Sequence, residues 1–210
     1  RTGEDGPKGI SCLVIEKEMD GVSFGAQERK LGWHSQPTAQ VNFDGVRVPV
    51  ENLVGAEGQG FGIAMAGLDG GRLNIGACSL GGAQRCLDEA ISYTRDREQF
   101  GKAVAEFQNT QFTLADMETE LQAARMLLYA AAVKVTENTP DKTRFAAMAK
   151  RLATDTGSAV ADRALQLHGG YGYLMDYPVE RFWRDLRVHS ILEGTNQIMR
   201  MIVGREILRP

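Results

Sequence analysis

The sequence predicts a mainly α fold: a four-helix bundle preceded by part of an antiparallel β domain. Three observations carry that prediction. Prolines stand at positions 7, 37 and 49 and then not again until Pro140, so residues 50–139 hold no obligatory helix breaker. Apolar residues recur at about every second position near residues 41–50 and at every third or fourth position further on, a change from strand to helix period. Of the 24 glycines, 17 lie in the first 82 of the 210 residues, so the glycine excess is local and the chain is not low-complexity.

The elements follow in order. Ile10 to Ile15 is a short run rich in β-branched residues, and Val41, Phe43, Val46, Val48 and Val50 alternate around an Asp44-Gly45 turn signal. These read as strands. Three or four strands make an incomplete sheet whose edge needs a partner, so the remaining strands are expected upstream, and a chain starting at Arg1 reads as a fragment of a longer one. Helices are expected over about 57–95, 105–137, 142–168 and 195–208, with a shorter one near 178–186. Leu114, Met117, Leu121, Ala124, Leu128, Ala131 and Val135 form one apolar stripe on the second of them. Asn138-Thr139-Pro140-Asp141 is a stop and restart, with Asp141 as N-cap. Long helices on short links suggest an up-down bundle. The expected domains are residues 1–52, the end of a β domain, and 53–210, the helical domain.

Composition excludes several classes. With 43% hydrophobic and 24% charged residues the chain is neither disordered nor collagen-like. No run of 18 apolar residues offers a membrane span. Basic and acidic residues number 6 and 8 in residues 1–52 and 18 and 19 beyond, giving a net charge of -3 and no footprint for nucleic acid. Cys12, Cys78 and Cys86 form neither an even disulfide set nor a C-x-x-C pair, so no metal is expected and a reducing compartment is the default.

Four motifs stand out, each with an ordinary alternative. Glu193-Gly194-Thr195-Asn196 puts a carboxylate beside a glycine just before a helix, where a ligand can approach bare backbone; the alternative is a capping loop whose acid favours the helix dipole. Gln166-Leu167-His168-Gly169-Gly170-Tyr171-Gly172-Tyr173 is a helix C-cap and turn, or a surface for a flat or phosphorylated ligand. Arg95-Asp96-Arg97-Glu98-Gln99-Phe100-Gly101 reads locally as a solvated helix end closed by Gly101, although arginine forks also suit pyrophosphate. Asp69-Gly70-Gly71-Arg72 lies inside a predicted helix, where each glycine costs about 1 kcal/mol relative to alanine. Something must approach there closely, either a neighbouring helix or a ligand.

In this order, these pieces resemble the acyl-CoA dehydrogenase family, together with Gly58-Gln59-Gly60-Phe61, Gln108 and Arg184-Asp185. The resemblance runs along all 210 residues. The stretches Pro7 to Cys12, Gly32 to Thr38, Ala77 to Gly81 and Gln111 to Met117 are similar to the branch that takes short branched, isobutyryl-like acyl-CoA. Asp69 stands where an asparagine is common.

The resemblance implies an N-terminal helical domain, a central β domain and a C-terminal four-helix bundle, of which this chain holds the later half. It implies α,β-dehydrogenation of an acyl-CoA thioester. Glu193 would take the α proton while the β hydride passes to flavin N5 of FAD, and electrons would go on to electron-transfer flavoprotein. Some branches carry the base immediately before the arginine matching Arg72; here that position is Gly71, which leaves Glu193. By position, Arg97, Phe107, Gln108 and Gln166, Leu167, His168, Gly169 and Gly170 would hold the pyrophosphate and adenine end of FAD, and Thr195, Asn196 and Gln197 would line the flavin. Asp69, Gly70, Gly71, Arg72 and Gly194 would meet the acyl-CoA, with Arg205 a further substrate-side candidate. The family pattern implies a homotetramer in the bacterial cytoplasm or, in a eukaryote, the mitochondrial matrix. The remaining readings are a dehydrogenase of other short or 2-methyl-branched specificity, an acyl-CoA oxidase, and a non-catalytic helical interaction module.

Overall fold

The computed structural model describes residues 1–209. They form two compact units, divided between Leu68 and Asp69 and each described by itself. In the first, β1 (Cys12–Leu13) pairs antiparallel with β4 (Leu53–Val54), and β2 (Val22–Phe24) with β3 (Val41–Phe43), in the register Val22 to Phe43 and Phe24 to Val41. Asp44-Gly45 therefore does not close a hairpin onto residues 46–50. Pairing runs back to residues 22–24, and the apolar alternation beyond Gly45 is extended chain without a ladder.

The buried positions of this unit are Gly9, Gly32 and Gly60, so no apolar side chain is buried within it. Phe24, Val41, Phe43 and Val50 are all exposed. The backbone nevertheless packs closely at one place. Gly60 donates its N–H to Ile10 at 2.8 Å, and a Cβ on Gly60 would lie 2.5 Å from the carbonyl carbon of Ser11. The Gly58-Gln59-Gly60 motif thus lets the start of the first helix approach the first strand.

Helix α1 (Gly60–Asp96) runs out of the first unit into the second, which adds α2 (Gln108–Thr136), α3 (Lys142–His168), α4 (Val179–Leu186) and α5 (Asn196–Ile207). One core joins Leu80, Cys86 and Leu87 of α1 to Met117, Leu121, Ala124, Leu128 and Ala131 of α2, Ala153, Val160 and Ala164 of α3, and Val179 and Leu186 of α4. From Met117 to Ala131 the stripe read from the sequence is this buried face, with Leu114 packed at its margin and Val135 outside it. Alanines allow close approach, and Gly76 and Gly82 do the same: a Cβ there would meet Leu128 at 3.0 Å and Leu186 at 2.9 Å. Helix α5 packs on α3 through Met199 and Ile202 against Ala147.

The links carry local chemistry. Asp141 occupies the N-cap position of α3 without capping it. Its carboxylate accepts instead from Lys134 at 2.9 Å and Thr139 at 2.8 Å and pairs with Arg144, and the Lys134 bond holds its carboxyl below the usual range. Between α1 and α2, β5 (Glu98–Gln99) and β6 (Lys102–Ala103) form a hairpin across Phe100 and Gly101. Both turn residues have positive φ, 55° and 81°, as a type I′ turn requires. Gly101 therefore turns a hairpin and does not close α1, which ends at Asp96.

Candidate active site

Within the turn Asp69 to Arg72 of α1 the side chains divide. Asp69 and Arg72 are both buried and paired at 2.9 Å, and Thr143 of α3 donates to the second carboxylate oxygen of Asp69 at 2.6 Å. A buried ion pair needs such extra bonds to offset desolvation. Asp69 is thereby engaged inside the fold, while Arg72 keeps a buried Nε with no hydrogen-bond partner among the described residues. Nothing lies within 4 Å of a Cβ on Gly70. At Gly71 the same test meets the Glu193 carboxylate, with Cδ at 2.7 Å and Oε2 closer still. The close approach expected at the glycine pair is made at Gly71 alone, by that side chain.

Glu193 reaches the spot from the loop before α5. It has a φ of 56°, uncommon for a residue with a side chain, and Gly194 follows at 91°. Two successive residues in the left-handed region turn the chain sharply and leave the Glu193 carboxylate half-buried against α1. The next residues are tied down. Thr195 caps α5, its hydroxyl accepting from the Ile198 N–H at 3.4 Å. Asn196 is buried, donating to Thr154 at 3.0 Å and Asp155 at 2.7 Å.

Lys150, which the sequence did not single out, completes the arrangement. It is the largest fully buried side chain of the molecule, and its ammonium donates to the Gly194 carbonyl at 2.8 Å and to Asn196 Oδ1 at 2.9 Å. Burial pulls its pKa down to about 8; the carboxylates of Asp155 and Glu193 oppose that fall and Arg72 adds to it. Nearby, His189 is buried and bonded through Nδ1 to Ser79 at 2.6 Å; burial lowers its pKa to about 4, so it is neutral near pH 7.

A second feature lies at the far end of α3. A cleft of about 430 Å³ is lined by Gln166, Leu167, His168, Gly169, Gly170 and Tyr171, with Tyr93, Arg97, Gln99, Val104 and Leu174 completing the wall. The Arg97 guanidinium lies 5.5 Å from the centre of the Tyr171 ring, and His168 stacks on Tyr93 at 4.4 Å. His168 bonds through Nδ1 to the Ala164 carbonyl at 2.7 Å, which fixes the proton on Nδ1. Its buried Nε2 has no partner among the described residues and is an acceptor in the neutral ring.

The remaining expected site residues are dispersed. Phe107 and Gln108, at the start of α2, do not line that cleft; Phe107 instead packs against Phe100 and under Lys102. Gln197 is exposed, and Arg205 is largely exposed on the last turn of α5 with a loose contact to Glu206 at 3.9 Å. Tyr93 and Val104 belong to the cleft but carry no sequence signal, because an aromatic in a helix or a valine in a linker reads as ordinary packing; Gln99 lies in the Arg95 to Gly101 motif. Among the described residues no group of three or more His, Cys, Asp or Glu is placed to hold a metal ion, and no helix is long and apolar enough to cross a membrane.

Residues 58–208 match the family described as the C-terminal domain of acyl-CoA dehydrogenase. The chain belongs to the acyl-CoA dehydrogenase family. Members of this family are FAD-dependent oxidoreductases. The chain is 55% identical to the mitochondrial isobutyryl-CoA dehydrogenase of Dictyostelium discoideum, over 99% of its own length and 50% of the relative's. It superimposes on the butyryl-CoA dehydrogenase of Megasphaera elsdenii with a TM-score of 0.94 at 44% identity, covering 97% of this chain and 53% of that one. A chain of the structure described as the electron transferring flavoprotein of Acidaminococcus fermentans gives a TM-score of 0.94 at 47% identity, covering 98% and 54%. The chain thus spans about half the length of these relatives.

For an acyl-CoA dehydrogenase the cleft has the right donor set for the adenine dinucleotide part of FAD. A guanidinium suits pyrophosphate, bare glycine backbone permits close approach, and the unpartnered acceptor on His168 suits a hydroxyl or amino group. The flat aromatic wall suits a stacked ring.

Proposed function

We propose that this chain is the catalytic C-terminal half of an FAD-dependent dehydrogenase of short, branched acyl-CoA thioesters, with Glu193 as the base. One observation carries the reading: a carboxylate is held in an uncommon backbone conformation over a glycine, Gly71, whose missing side chain makes room for it. A capping loop alone would require neither. Glu193 would take the α proton of the thioester on a carboxylate oxygen, and the backbone N–H of Glu193 would donate to the thioester carbonyl, a donor worth typically about 3 to 4 kcal/mol. Gly194 keeps the approach to that carbonyl free of a Cβ. FAD, when bound, supplies the acceptor for the β hydride, so that the lost proton and hydride leave a carbon–carbon double bond. Arg97, Gln166 and the His168 to Gly170 turn would hold its pyrophosphate and adenine end, while the buried Nε of Arg72 is a donor for the acyl-CoA. Electron-transfer flavoprotein as acceptor, a tetrameric assembly and the isobutyryl preference belong to the same proposal.

The test is anaerobic bleaching of the flavin in the full-length protein by isobutyryl-, 2-methylbutyryl-, butyryl- and octanoyl-CoA. Fastest bleaching by isobutyryl-CoA is expected, and peroxide formation in air without another acceptor would make the enzyme an oxidase instead. In Glu193→Gln, FAD and acyl-CoA still bind and flavin reduction falls by about 100-fold or more, as expected for loss of a general base. Reduction at the wild-type rate would remove Glu193 from this role.

A further inference from the structure

An ammonium in a protein core is costly unless paired, and a leucine or methionine of similar size would fill the same space without that cost. Lys150 keeps it. The residue lies on α3 among the buried Ala146, Ala147, Ala149 and Ala153, and neither hydrogen bond of its ammonium goes to its own helix. Its two hydrogen bonds both go to a single short segment, the Gly194 carbonyl and Asn196 Oδ1, which immediately follows Glu193.

That segment is where rigidity is most needed. A residue with a side chain in the left-handed region is strained and persists only where its surroundings over-determine it. Glu193 is such a residue, and Gly194 continues the same turn. In a trans peptide the C=O and the following N–H point in opposite directions, so anchoring the Gly194 carbonyl fixes the whole plane that follows Gly194 Cα. Lys150 does this from one side. On the other, it holds the oxygen of Asn196 while Thr154 and Asp155 accept from the amide nitrogen, so both ends of that side chain are set by α3. The Thr195 cap lies between. The Glu193 carboxylate is then confined against α1 at Gly71.

We propose that Lys150 is a positioning residue of the dehydrogenation: through Gly194 and Asn196 it orients the loop that aims the Glu193 carboxylate, without itself touching substrate. This rests on the assignment of Glu193 as base. The groups that face the ammonium electrostatically are Asp155 of its own helix, Glu193 of the loop and Arg72 of α1; with two acids against one cation, its positive charge is retained at neutral pH.

The experiment uses the full-length, FAD-loaded protein and isobutyryl-CoA, with three variants: Lys150→Met, which keeps the volume and removes the ammonium; Lys150→Gln, which keeps a neutral N–H donor; and Glu193→Gln. Stopped-flow flavin reduction under anaerobic conditions gives a limiting rate and an apparent Kd. A loop displaced by about 1 Å is expected to cost about 100-fold in the limiting rate of Lys150→Met, with the apparent Kd changed less than about threefold. Lys150→Gln is expected to recover part of the rate, a split that a purely space-filling role would not produce. The proposal is overturned by a wild-type limiting rate in Lys150→Met, by a defect confined to Kd, or by loss of bound FAD and of cooperative unfolding in both Lys150 variants, which would make Lys150 a core residue only. Glu193→Gln separates the two claims. If it abolishes reduction while Lys150→Met does not, the base stands and the positioning role falls; if it leaves reduction intact, both fall.

Discussion

At the scale of single residues the site is an exercise in what is left out. Gly71 lacks the one carbon that would collide with Glu193, and so Gly71→Ala is expected to push the carboxylate aside. The variant should keep its FAD and lose about 10- to 100-fold in the rate of flavin reduction, because about 1 Å of misplacement is enough; an unchanged rate would show that the carboxylate has another place to sit. His189 gives a pH prediction. Its folded pKa, about 4, lies below the ordinary 6.5, so below pH 6.5 the unfolded chain takes up a proton that the folded chain refuses. Stability is therefore complete above that point and falls as pH drops from 6.5 towards 4. Between pH 7 and 5 the loss is about 2 kcal/mol, and urea unfolding of His189→Gln should show a correspondingly shallower fall. The close approach at Gly71 was legible in the sequence because a helix does not carry two glycines without cause, whereas Glu193 was singled out as the base only through the resemblance to the family. Lys150, Ser79 and His189 were not. A lysine in an alanine-rich helix has the pattern of a solvated residue, and only the fold shows that this one has the loop before α5 lying over it.

At the scale of elements, legibility follows the strength of the punctuation. Helix α3 lies where the sequence placed it because Pro140 precedes it and Gly169, at a φ of 59°, ends it. The strands were harder. Asp44-Gly45 is a common hairpin signal, yet the competing partner at residues 22–24 takes the ladder, a choice made by contacts between segments about 20 residues apart. The turn at Phe100 was hidden for a different reason: a bulky residue at positive φ carries no compositional warning, and this residue is 92% exposed at the hairpin tip. The cap of α5 is open to test. Its 3.4 Å bond is long, so Thr195→Ala should cost only about 0.5 to 1 kcal/mol in chemical denaturation. A cost well above that would mean that the hydroxyl holds more than the helix end.

At the scale of the molecule the two units differ in kind. From Asp69 on the chain encloses a continuous apolar core, whereas residues 1–68 bury glycines alone and leave Leu13, Phe24, Val41 and Phe43 of their strands exposed. A peptide of residues 1–68 is therefore expected to show no cooperative thermal transition by circular dichroism, since it has too little apolar surface to bury against its chain entropy; a sharp transition would contradict this. The alternation of strand residues had pointed to an incomplete sheet, but not to how little of it is covered. The meeting of Gly71 with Glu193, 122 positions apart, bears on descent as well as on chemistry. On the proposed assignment of Glu193 as base, any side chain gained at position 71 while Glu193 remains meets its carboxylate, so the glycine and the glutamate constrain each other's replacement although they lie on separate segments of the chain.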